Sequence, residues 1–254
     1  NFASLRRITM NKIAIIIPCR LNAQRLPNKP LKLIGNKEMI LHVYEAALNS
    51  KVGEVYVATP DQKIFETIKK IGGNVFKTKD QHQTGTDRIF EVFKNDLNNK
   101  ADIIVNLQGD MPNIEPKAIS ELVAYMEMGK CDIGTLASNF ISKNEILNPN
   151  VVKVALNEKL SENKFLNVAD FFRNSKTSKE NLYHHVGIYA FTSKALIKYV
   201  SLKRSKLELE RKLEQLRALE NNMLIHVGFV KDCPLSVDTE EDLIEIKKLM
   251  ENNI

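Results

Sequence analysis

One short apolar run near the start of the chain constrains the fold most strongly. Residues 13–17 are all hydrophobic, four of them are isoleucine, and Pro18 ends the run. An extended segment that is apolar on both faces is typical of a strand buried between two layers in a parallel sheet. Further apolar segments alternate with helical patterns along the chain, so we predict an α/β fold with a doubly wound, mostly parallel sheet.

A basic segment follows this strand directly. Residues 19–32 contain no acid, and two prolines, Pro27 and Pro30, oppose regular structure there. The cations of the segment are Arg20, Arg25, Lys29 and Lys32. Loops at the carboxyl end of the first strand of such a sheet commonly bind ligands, and fixed cations can pair with the oxygens of a triphosphate. A solvated basic loop is the alternative, but the attachment to a buried strand and the two prolines favour a phosphate-binding loop.

The overall charge also favours an anionic ligand. Lys and Arg outnumber Asp and Glu by 37 to 31, which gives a net charge of +6 in 254 residues. Nucleic-acid-binding proteins share such a balance, but they usually concentrate their cations in runs or interleave them with stacking aromatic residues. Aromatic residues make up only 7% here, and Trp is absent. We therefore expect a small-molecule substrate and no nucleic acid, and we keep a basic nucleic-acid-binding module as the alternative from another class.

Cysteine usage and hydrophobicity predict a cytoplasmic protein. Cys19, Cys131 and Cys233 lie far apart without paired spacing, which argues against a disulfide framework or a structural zinc site. No apolar stretch is long enough to cross a membrane, so we expect no membrane partner. The first Met is residue 10, and we interpret residues 1–12 as an N-terminal extension of upstream or cloning origin and residues 13–254 as one domain.

Hydrophobic periodicity predicts the helices and strands of this domain. The predicted helices are residues 39–49, 61–71, 87–95, 116–128 and 205–221, and a final helix follows Asp238. The predicted strands after the first are residues 54–58, 75–76, 102–110, 133–138, 186–191 and 224–230. The helix over 205–221 carries a stripe of Leu209, Leu213 and Leu216, which is more typical of a core or a dimer face than of a catalytic site.

Two polar segments between these elements are candidate ligand sites. Thr84, Gly85 and Thr86 precede a helix, where hydroxyls and free backbone N–H groups can bind a base or a phosphate. Taken alone, that stretch is better explained as an ordinary helix cap. Asp110 follows a buried strand and a glycine, where a carboxylate can hold Mg²⁺ against phosphate oxygens, although a plain turn residue is an equal alternative.

Several of these segments together resemble one enzyme family. The sequence IPCRLNAQRLPNKPL, residues 17–31, resembles the IPAR-x4-RLP-x-KPL signature of the 3-deoxy-manno-octulosonate cytidylyltransferases, also called CMP-Kdo synthetases. Cys19 stands where the family usually has Ala. Further similar blocks follow in the family's order, namely HQTGTDR, NLQGDMP with Met111 in place of Glu, NPNVVKV, HHVGIYAF, LEQLR and SVDTEEDL. The resemblance runs from Ile13 to the C terminus and implies the Rossmann-like single domain of the nucleotide-diphospho-sugar transferases.

The resemblance also implies roles for individual residues. Arg20, Arg25 and Lys29 would be the catalytic cations that neutralise the triphosphate. The nucleotide site would comprise Pro18, Arg20, Lys29, Thr84, Gly85, Thr86, Arg88 and Gln108. The sugar site would comprise Gln108, Arg173, His185, Tyr189, Glu214 and Gln215. Asp110 and Asp238 would be the ligands of Mg²⁺.

The family pattern is weakest between residues 165 and 181. The family has an FSRA-x-IP segment whose Arg meets the sugar carboxylate, whereas this chain reads FLNVADFFRNSKTSKEN. A buried carboxylate needs a cationic partner, and Arg173 is the only arginine between Lys153 and His184. We therefore expect Arg173 to bind the sugar carboxylate, with the polar stretch 175–181 forming a mobile loop that orders on binding. His185 and the N-terminal cations are the alternative partners.

Together these features predict a nucleotidyltransferase that transfers CMP from CTP to 3-deoxy-D-manno-octulosonate (Kdo) and releases pyrophosphate. The resemblance further implies that the product is the activated sugar for lipopolysaccharide synthesis, that Mg²⁺ is the cofactor and that the enzyme is a homodimer. A cytidylyltransferase for a nine-carbon acid such as sialic acid is the alternative within the class. The RLP-x-KPL and HQTGTDR blocks argue against that alternative.

Overall fold

The computed structural model describes residues 11–22, 25–174 and 180–251, and a nine-stranded sheet forms the centre of this part of the chain. In chain order the strands are β1 (Ile13–Pro18), β2 (Leu33–Ile34), β3 (Lys37–Glu38), β4 (Glu54–Thr59), β5 (Asn74–Lys77), β6 (Ile103–Leu107), β7 (Ile133–Ser138), β8 (Lys153–Leu156), β9 (Phe165–Phe172), β10 (Leu182–Thr192) and β11 (Ile225–Phe229). β2 and β3 pair with each other in a separate small hairpin.

Helices connect most of the strands. They are α1 (Met39–Asn49), α2 (Gln62–Lys70), α3 (Gly85–Asn95), α4 (Pro116–Glu127), α5 (Lys143–Leu147), α6 (Ser193–Ser201), α7 (Lys206–Arg211), α8 (Leu216–Glu220) and α9 (Glu240–Glu251). A single 3-10 turn, Lys29–Leu31, lies within the basic segment.

The sheet has the strand order β5-β4-β1-β6-β10-β7-β11-β9-β8. β5, β4, β1 and β6 pair in parallel, and so do β7 and β11. β10 runs antiparallel between β6 and β7, and the antiparallel strands β9 and β8 complete the far edge. The prediction of a doubly wound α/β sheet is confirmed, and the antiparallel strands lie in its second half.

Helices cover both faces of this sheet. On one face α1, α2 and α4 form a core with Ile15 and Ile17 of β1. On the other face α3 and α6 form a second core that includes Ile16. Successive side chains of a strand point to opposite faces. The unbroken apolar run at residues 13–17 is therefore explained by burial of β1 on both sides.

A third, smaller core joins the two ends of the chain. Leu26 of the basic segment packs with Val237 and with Leu243 of α9. The backbone N–H of Val237 also donates to the carbonyl of Asp110 at 2.9 Å. These contacts bring Asp238 beside both the basic segment and the end of β6, although sequence spacing alone gives no sign of it.

Most predicted elements agree with the structure within a few residues, but the predicted helix over 205–221 is wrong. The segment forms two short helices, α7 and α8, and Lys212 between them has φ 53°, in the left-handed region. Glu208 of α7 accepts two hydrogen bonds, of 2.9 and 2.7 Å, from Arg217 of α8, and Tyr199 donates to the carbonyl of Glu214 at 2.7 Å. These buried polar contacts stabilise the broken path, which sequence periodicity does not reveal.

The leucine stripe proposed for that helix is wrong for the same reason. Leu213 and Leu216 are buried, but Leu209, which lies within α7 before the break at Lys212, is exposed, so the three leucines do not share one face. The sequence patterns also did not predict β9 or α5.

Several predictions concern residues at the limits of the described chain. Residues 1–10 of the predicted extension and residues 175–179 of the predicted mobile loop lie outside the described residues. Lys12 already joins the fold, because its backbone N–H donates to Asp102 at 2.8 Å. Across the described ranges, none of the helices combines the length and the apolar character that crossing a bilayer requires.

Candidate active site

The carboxyl ends of β1 and β6 border a cavity of about 280 Å³. The chain builds outward from β1 through β4 on one side and continues at β6 on the other, and such a switch point leaves a crevice where ligands bind. Predicted site residues in its lining are Pro18, Arg20, Lys29, Thr84, Gly85, Arg88, Gln108 and Asp110. Thr86 lies just behind the wall, where it is buried and bonded to Asn106.

Arg20, Lys29 and Arg88 give this first cavity its positive charge. Arg88 is buried, and its guanidinium donates to the hydroxyl of Thr78 and to the carbonyl of Lys79, which are both neutral acceptors. Burial lowers the pKa of Arg88, and the charge of Arg20 lowers it further. Two cations that repel each other beside an open cavity favour an anion between them.

The N terminus of α3 forms one wall of the first cavity. Thr84 caps the helix, because its Oγ1 accepts the backbone N–H of Asp87 at 3.2 Å. A Cβ added to Gly85 would lie 3.3 Å from Pro18 and 3.5 Å from Gln108. The first turn of α3 thus lies close to the strand ends with little room for a larger residue, and its N–H groups and positive dipole suit a phosphate.

Gln108 is held in place by a chain of side-chain amides. Its Nε2 donates to Asn106 Oδ1 at 3.1 Å, and Asn106 Nδ2 donates to Thr86 Oγ1 at 3.1 Å. Asn106 is fully buried in β6 and was not predicted as a site residue. An amide inside an otherwise apolar strand is the sequence signal that identifies it, since buried polar side chains need partners.

Asp110 and Asp238 meet at the ammonium of Lys29. Nζ lies 2.8 Å from Asp110 Oδ2 and 3.0 Å from Asp238 Oδ1. Burial opposes the charge of Lys29, but the two carboxylates raise its pKa overall. Burial likewise opposes the charge of Asp238, but Lys29 and Arg25 hold the pKa of that carboxyl below its usual value. Lys29 is therefore protonated and Asp238 ionised at neutral pH.

Arg25 is placed differently from the other predicted catalytic cations. It does not line the first cavity, and its guanidinium donates to Asp238 at 3.0 Å and to Asn150 at 3.2 Å. Arg20 and Lys29 thus line the first cavity, whereas Arg25 contacts Asp238, one of the two carboxylates.

Asp110 and Asp238 are the residues that suit a divalent cation. Within the described ranges, no group of three or more His, Cys, Asp or Glu side chains is arranged as a complete metal site. Mg²⁺ commonly takes one or two carboxylates from the protein and fills its octahedron with water and substrate phosphates. Two carboxylates at the edge of a cationic cavity match that donor set.

A second cavity, of about 500 Å³, adjoins the first at Gln108 and Asp110. Predicted residues in its lining are Arg173, His185, Tyr189, Glu214, Gln215 and Asp238. The lining also includes Asn150, His184 and Lys212, which were not predicted. The predicted nucleotide and sugar residues are thus gathered in two neighbouring cavities that share two residues.

Arg173 follows β9 directly and is tied to a neighbouring turn. Its guanidinium donates to the carbonyls of Pro149 and Asn150 at 3.2 and 3.1 Å. Lys153 is fully buried and donates to three carbonyls of the same region, at 2.6 Å for Asn148, 2.9 Å for Val151 and 2.7 Å for Arg173. The two described hydrogen-bond partners of the Arg173 guanidinium are neutral carbonyls, so its charge suits an anion in the second cavity. A lysine inside the apolar strand of NPNVVKV is the sequence signal for these three hydrogen bonds of Lys153.

His185 and Tyr189 are both buried in the wall of the second cavity, with ring centroids 5.4 Å apart. Burial, with a smaller contribution from the neighbouring His184, lowers the pKa of His185 to about 3. Burial also raises the pKa of Tyr189 well above its ordinary value. Both rings are therefore neutral hydrogen-bonding groups, which suits sugar hydroxyls.

Glu214 and Gln215 reach the second cavity from the break between α7 and α8. Among the described residues, Glu214 Oε2 is buried without a hydrogen-bond partner. Burial raises the pKa of Glu214, while the hydroxyls of Thr84 and Thr86 oppose that rise. A buried carboxylate oxygen without a protein donor is suited to accept a hydrogen bond from a ligand hydroxyl.

Comparison with known proteins identifies an enzyme family that is similar to this chain in sequence and in fold. A model of the cytidylyltransferase family matches residues 14–225. The 3-deoxy-manno-octulosonate cytidylyltransferase of Brucella ovis is 42% identical over 234 residues, which cover 91% of this chain and 93% of that protein. The Bartonella tribocorum protein of the same name is 41% identical over 238 residues, which cover 93% and 97% of the two chains.

A solved structure gives the same result for the fold. The structure of CMP:2-keto-3-deoxy-manno-octonic acid synthetase complexed with CTP superposes with a TM-score of 0.85 and 35% sequence identity. The superposition covers 96% of this chain and all of that one.

Proposed function

The chain belongs to the 3-deoxy-manno-octulosonate cytidylyltransferase family, and we propose that it transfers the CMP group of CTP to Kdo and releases pyrophosphate. The observation that carries this proposal is the junction of the two cavities at Gln108 and Asp110. A transfer between two substrates needs their reacting atoms about 3–3.5 Å apart. Two cavities that meet at Gln108 and Asp110 allow two substrates to bind side by side, with the triphosphate in the cationic first cavity and the sugar acid in the second, beside Arg173 and the hydrogen-bonding groups.

In this reaction the anomeric oxygen of Kdo forms a bond to the α-phosphorus of CTP. The bond from that phosphorus to the bridging oxygen of the β-phosphate breaks, pyrophosphate leaves with the electron pair, and the hydroxyl proton is released. Covalent catalysis by the protein contributes little to such a reaction, so the rate depends on positioning and on charge stabilisation. Arg20, Arg88 and Lys29 supply the charge beside the triphosphate, and the first turn of α3 adds backbone N–H groups.

We propose Mg²⁺ as the cofactor, held by Asp110 and Asp238. When bound, the ion would neutralise phosphate charge and polarise the reacting oxygens. The ammonium of Lys29 contacts both carboxylates and would compete with the ion for them. Arg25 donates a further hydrogen bond to Asp238.

In the second cavity, one residue is assigned to the carboxylate of Kdo and four others to its hydroxyls. Arg173 is the proposed partner of the carboxylate, because its guanidinium lines the cavity and its described hydrogen bonds go to neutral carbonyls. His185, Tyr189, Glu214 and Gln215 are the proposed partners of the hydroxyls. Gln108 lies in both linings and would contact both substrates.

The assay that tests this function is pyrophosphate release from CTP and Mg²⁺ with a panel of keto-sugar acids. We expect release with Kdo and much less with a nine-carbon acid such as sialic acid. Release with the nine-carbon acid alone would reassign the sugar specificity. A lack of release with every acid, together with salt-sensitive binding of duplex DNA, would favour a nucleic-acid-binding module instead.

We also propose that the enzyme acts as a cytoplasmic homodimer. Its three cysteines are free thiols, which fits a reducing compartment. Ile141, just before α5, and Leu147, the last residue of α5, are 81% and 77% exposed, which supports an interface there. Light scattering after size-exclusion chromatography tests the assembly, and a monomeric mass at micromolar concentration would contradict it.

A further inference from the structure

Thr135, a fully buried residue of β7, contacts the ring of His185 where β10 is irregular. The pairing register between β10 and β7 shifts between Val186 and Tyr189. Thr135 Oγ1 lies 2.7 Å from the carbonyl oxygen of Ile188, 3.3 Å from that of Val186 and 2.9 Å from His185 Nε2. One hydroxyl therefore contacts both the displaced backbone of β10 and a ring of the sugar cavity.

The protons at this hydroxyl can be assigned from its neighbours. A hydroxyl has one hydrogen to donate and two lone pairs to accept with, and a carbonyl oxygen can only accept. The hydrogen of Thr135 is therefore directed to the carbonyls, with Ile188 as the closer one. The contact with His185 must then run the other way, from Nε2–H to Oγ1.

This assignment determines which ring nitrogen of His185 is left for a ligand. A neutral imidazole carries one proton, so a ring with Nε2–H has an unprotonated Nδ1 that accepts hydrogen bonds. The low pKa of His185 agrees with a neutral ring. His185 lines the second cavity, and no hydrogen bond reaches its Nδ1 from any residue that the structure describes.

We infer that Thr135 is a positioning residue that holds His185 as the Nε2–H tautomer, so that Nδ1 accepts a hydrogen bond from a hydroxyl of the sugar acid. The inference rests on the proposed function for the identity of the sugar. It adds a specificity rule, because an acceptor at this place selects a ligand that can donate. An analogue whose matching hydroxyl is replaced by a methoxy group or by hydrogen should bind less well.

The test compares two substitutions of Thr135. Thr135→Val keeps the shape but removes the hydroxyl, whereas Thr135→Ser keeps the hydroxyl. In ¹⁵N-labelled protein, the imidazole nitrogen shifts should show the Nε2–H tautomer in wild type and in T135S, and a mixed or reversed tautomer in T135V. The KM for Kdo should rise roughly tenfold in T135V and much less in T135S, with the affinity for CTP unchanged in both.

A purely structural role for Thr135 predicts different results. In that case T135V would lose thermal stability, but His185 would keep the Nε2–H tautomer and the KM for Kdo would stay within twofold in the folded fraction. An Nδ1–H tautomer in the wild-type spectrum would overturn the inference without any variant, so it remains testable even if T135V does not fold. Because that spectrum needs no turnover, failure of the inference is distinguishable from failure of the proposed function.

Discussion

The ammonium of Lys29 and the carboxylate of Asp110 form an ion pair of 2.8 Å that joins the basic segment to the end of β6. Both side chains are largely buried, at 14% and 23% exposure, and the second carboxylate, Asp238, shares the same ammonium. Lys29 therefore has two sets of anions within reach, the carboxylates and the phosphates of a nucleotide in the first cavity.

Lys29→Ala should lower kcat for pyrophosphate release by roughly 10² to 10³, a loss like that of an oxyanion-hole donor, because charge that develops on the phosphates loses a fixed cation. Lys32→Ala is the matched control, since Lys32 belongs to the same segment but makes only a 4.0 Å contact with the exposed Glu240. Steady-state kinetics with varied CTP separates an effect on kcat from an effect on the KM for CTP. A rise in the KM for CTP at unchanged kcat would limit Lys29 to ground-state binding.

Lys29→Met should also strengthen the binding of Mn²⁺ in the absence of nucleotide. The ammonium and a divalent cation compete for the same two carboxylates, and removal of the ammonium leaves both for the metal. Electron paramagnetic resonance titration of free Mn²⁺ measures this without any turnover. Weaker or unchanged metal binding in the variant, relative to wild type and K32M, would argue against a shared site.

Asp110→Asn and Asp238→Asn should each leave the fold intact and remove most activity with Mg²⁺. Each change deletes one of the two charges that suit a hard cation. Glu240→Gln serves as the control, because Glu240 is an exposed acid only two residues beyond Asp238. Circular dichroism should match for all four proteins, and turnover at the wild-type rate in either Asp variant would refute the metal site.

Arg173→Ala should raise the KM for Kdo strongly while leaving the affinity for CTP, measured without sugar, nearly unchanged. Of the first and second cavities, Arg173 lines the second, and an unpaired buried carboxylate is costly. Lys164→Ala is the control, because Lys164 lies just before β9 and pairs with the exposed Glu158. Equal losses for both substrates would mean that Arg173 acts through the 148–151 turn and not on the sugar.

Glu208→Gln should lower the free energy of unfolding at pH 7 by about 3–5 kcal/mol, because it removes the buried charge partner of Arg217 and leaves a 4.0 Å contact with Asp87. Burial opposes the charge of Glu208, but Arg217 and Arg204 lower its pKa overall, below the ordinary value of 4.5. A lowered pKa stabilises the fold fully above pH 4.5, and this stabilisation is lost as the pH falls through the folded-state value.

The difference between wild type and Glu208→Gln should therefore shrink below pH 4.5 and stay constant between pH 6 and 8. Urea denaturation at several pH values measures it. Glu210→Gln, which alters an exposed pair with Lys206, should change stability little at any pH. A constant difference down to pH 3 would contradict the lowered pKa.

The sequence was most informative where one residue type has one physical explanation. The isoleucines of residues 13–17 predict a strand covered on both faces, and two apolar cores meet that strand in the structure. The resemblance to known motifs added the candidate residues, and the two cavities collect nearly all of them. Arg25 and Thr86 are the exceptions, since a motif gives the residue but not the direction of its side chain.

Long-range side-chain contacts were beyond sequence patterns. The left-handed Lys212 follows from the Glu208–Arg217 pair and from the Tyr199 contact with Glu214, none of which has a periodic signature. Thr135 lies within a strand that was predicted correctly, yet the contacts of its hydroxyl depend on the irregular register of β10, which the sequence does not show. Local propensity cannot show which distant polar group a buried side chain will meet.

The small core that joins Leu26 to Val237 and α9 has a consequence for the order of synthesis. Lys29 and Asp238 are 209 positions apart, so at typical translation speeds roughly 10–40 s separate their emergence from the ribosome. β1, β4, β5 and β6 have all been made by the middle of that interval, but one wall of the active site does not yet exist. The basic segment and the segment of Asp238 and α9 complete the site together, so we expect a nascent chain to be inactive until α9 has been made.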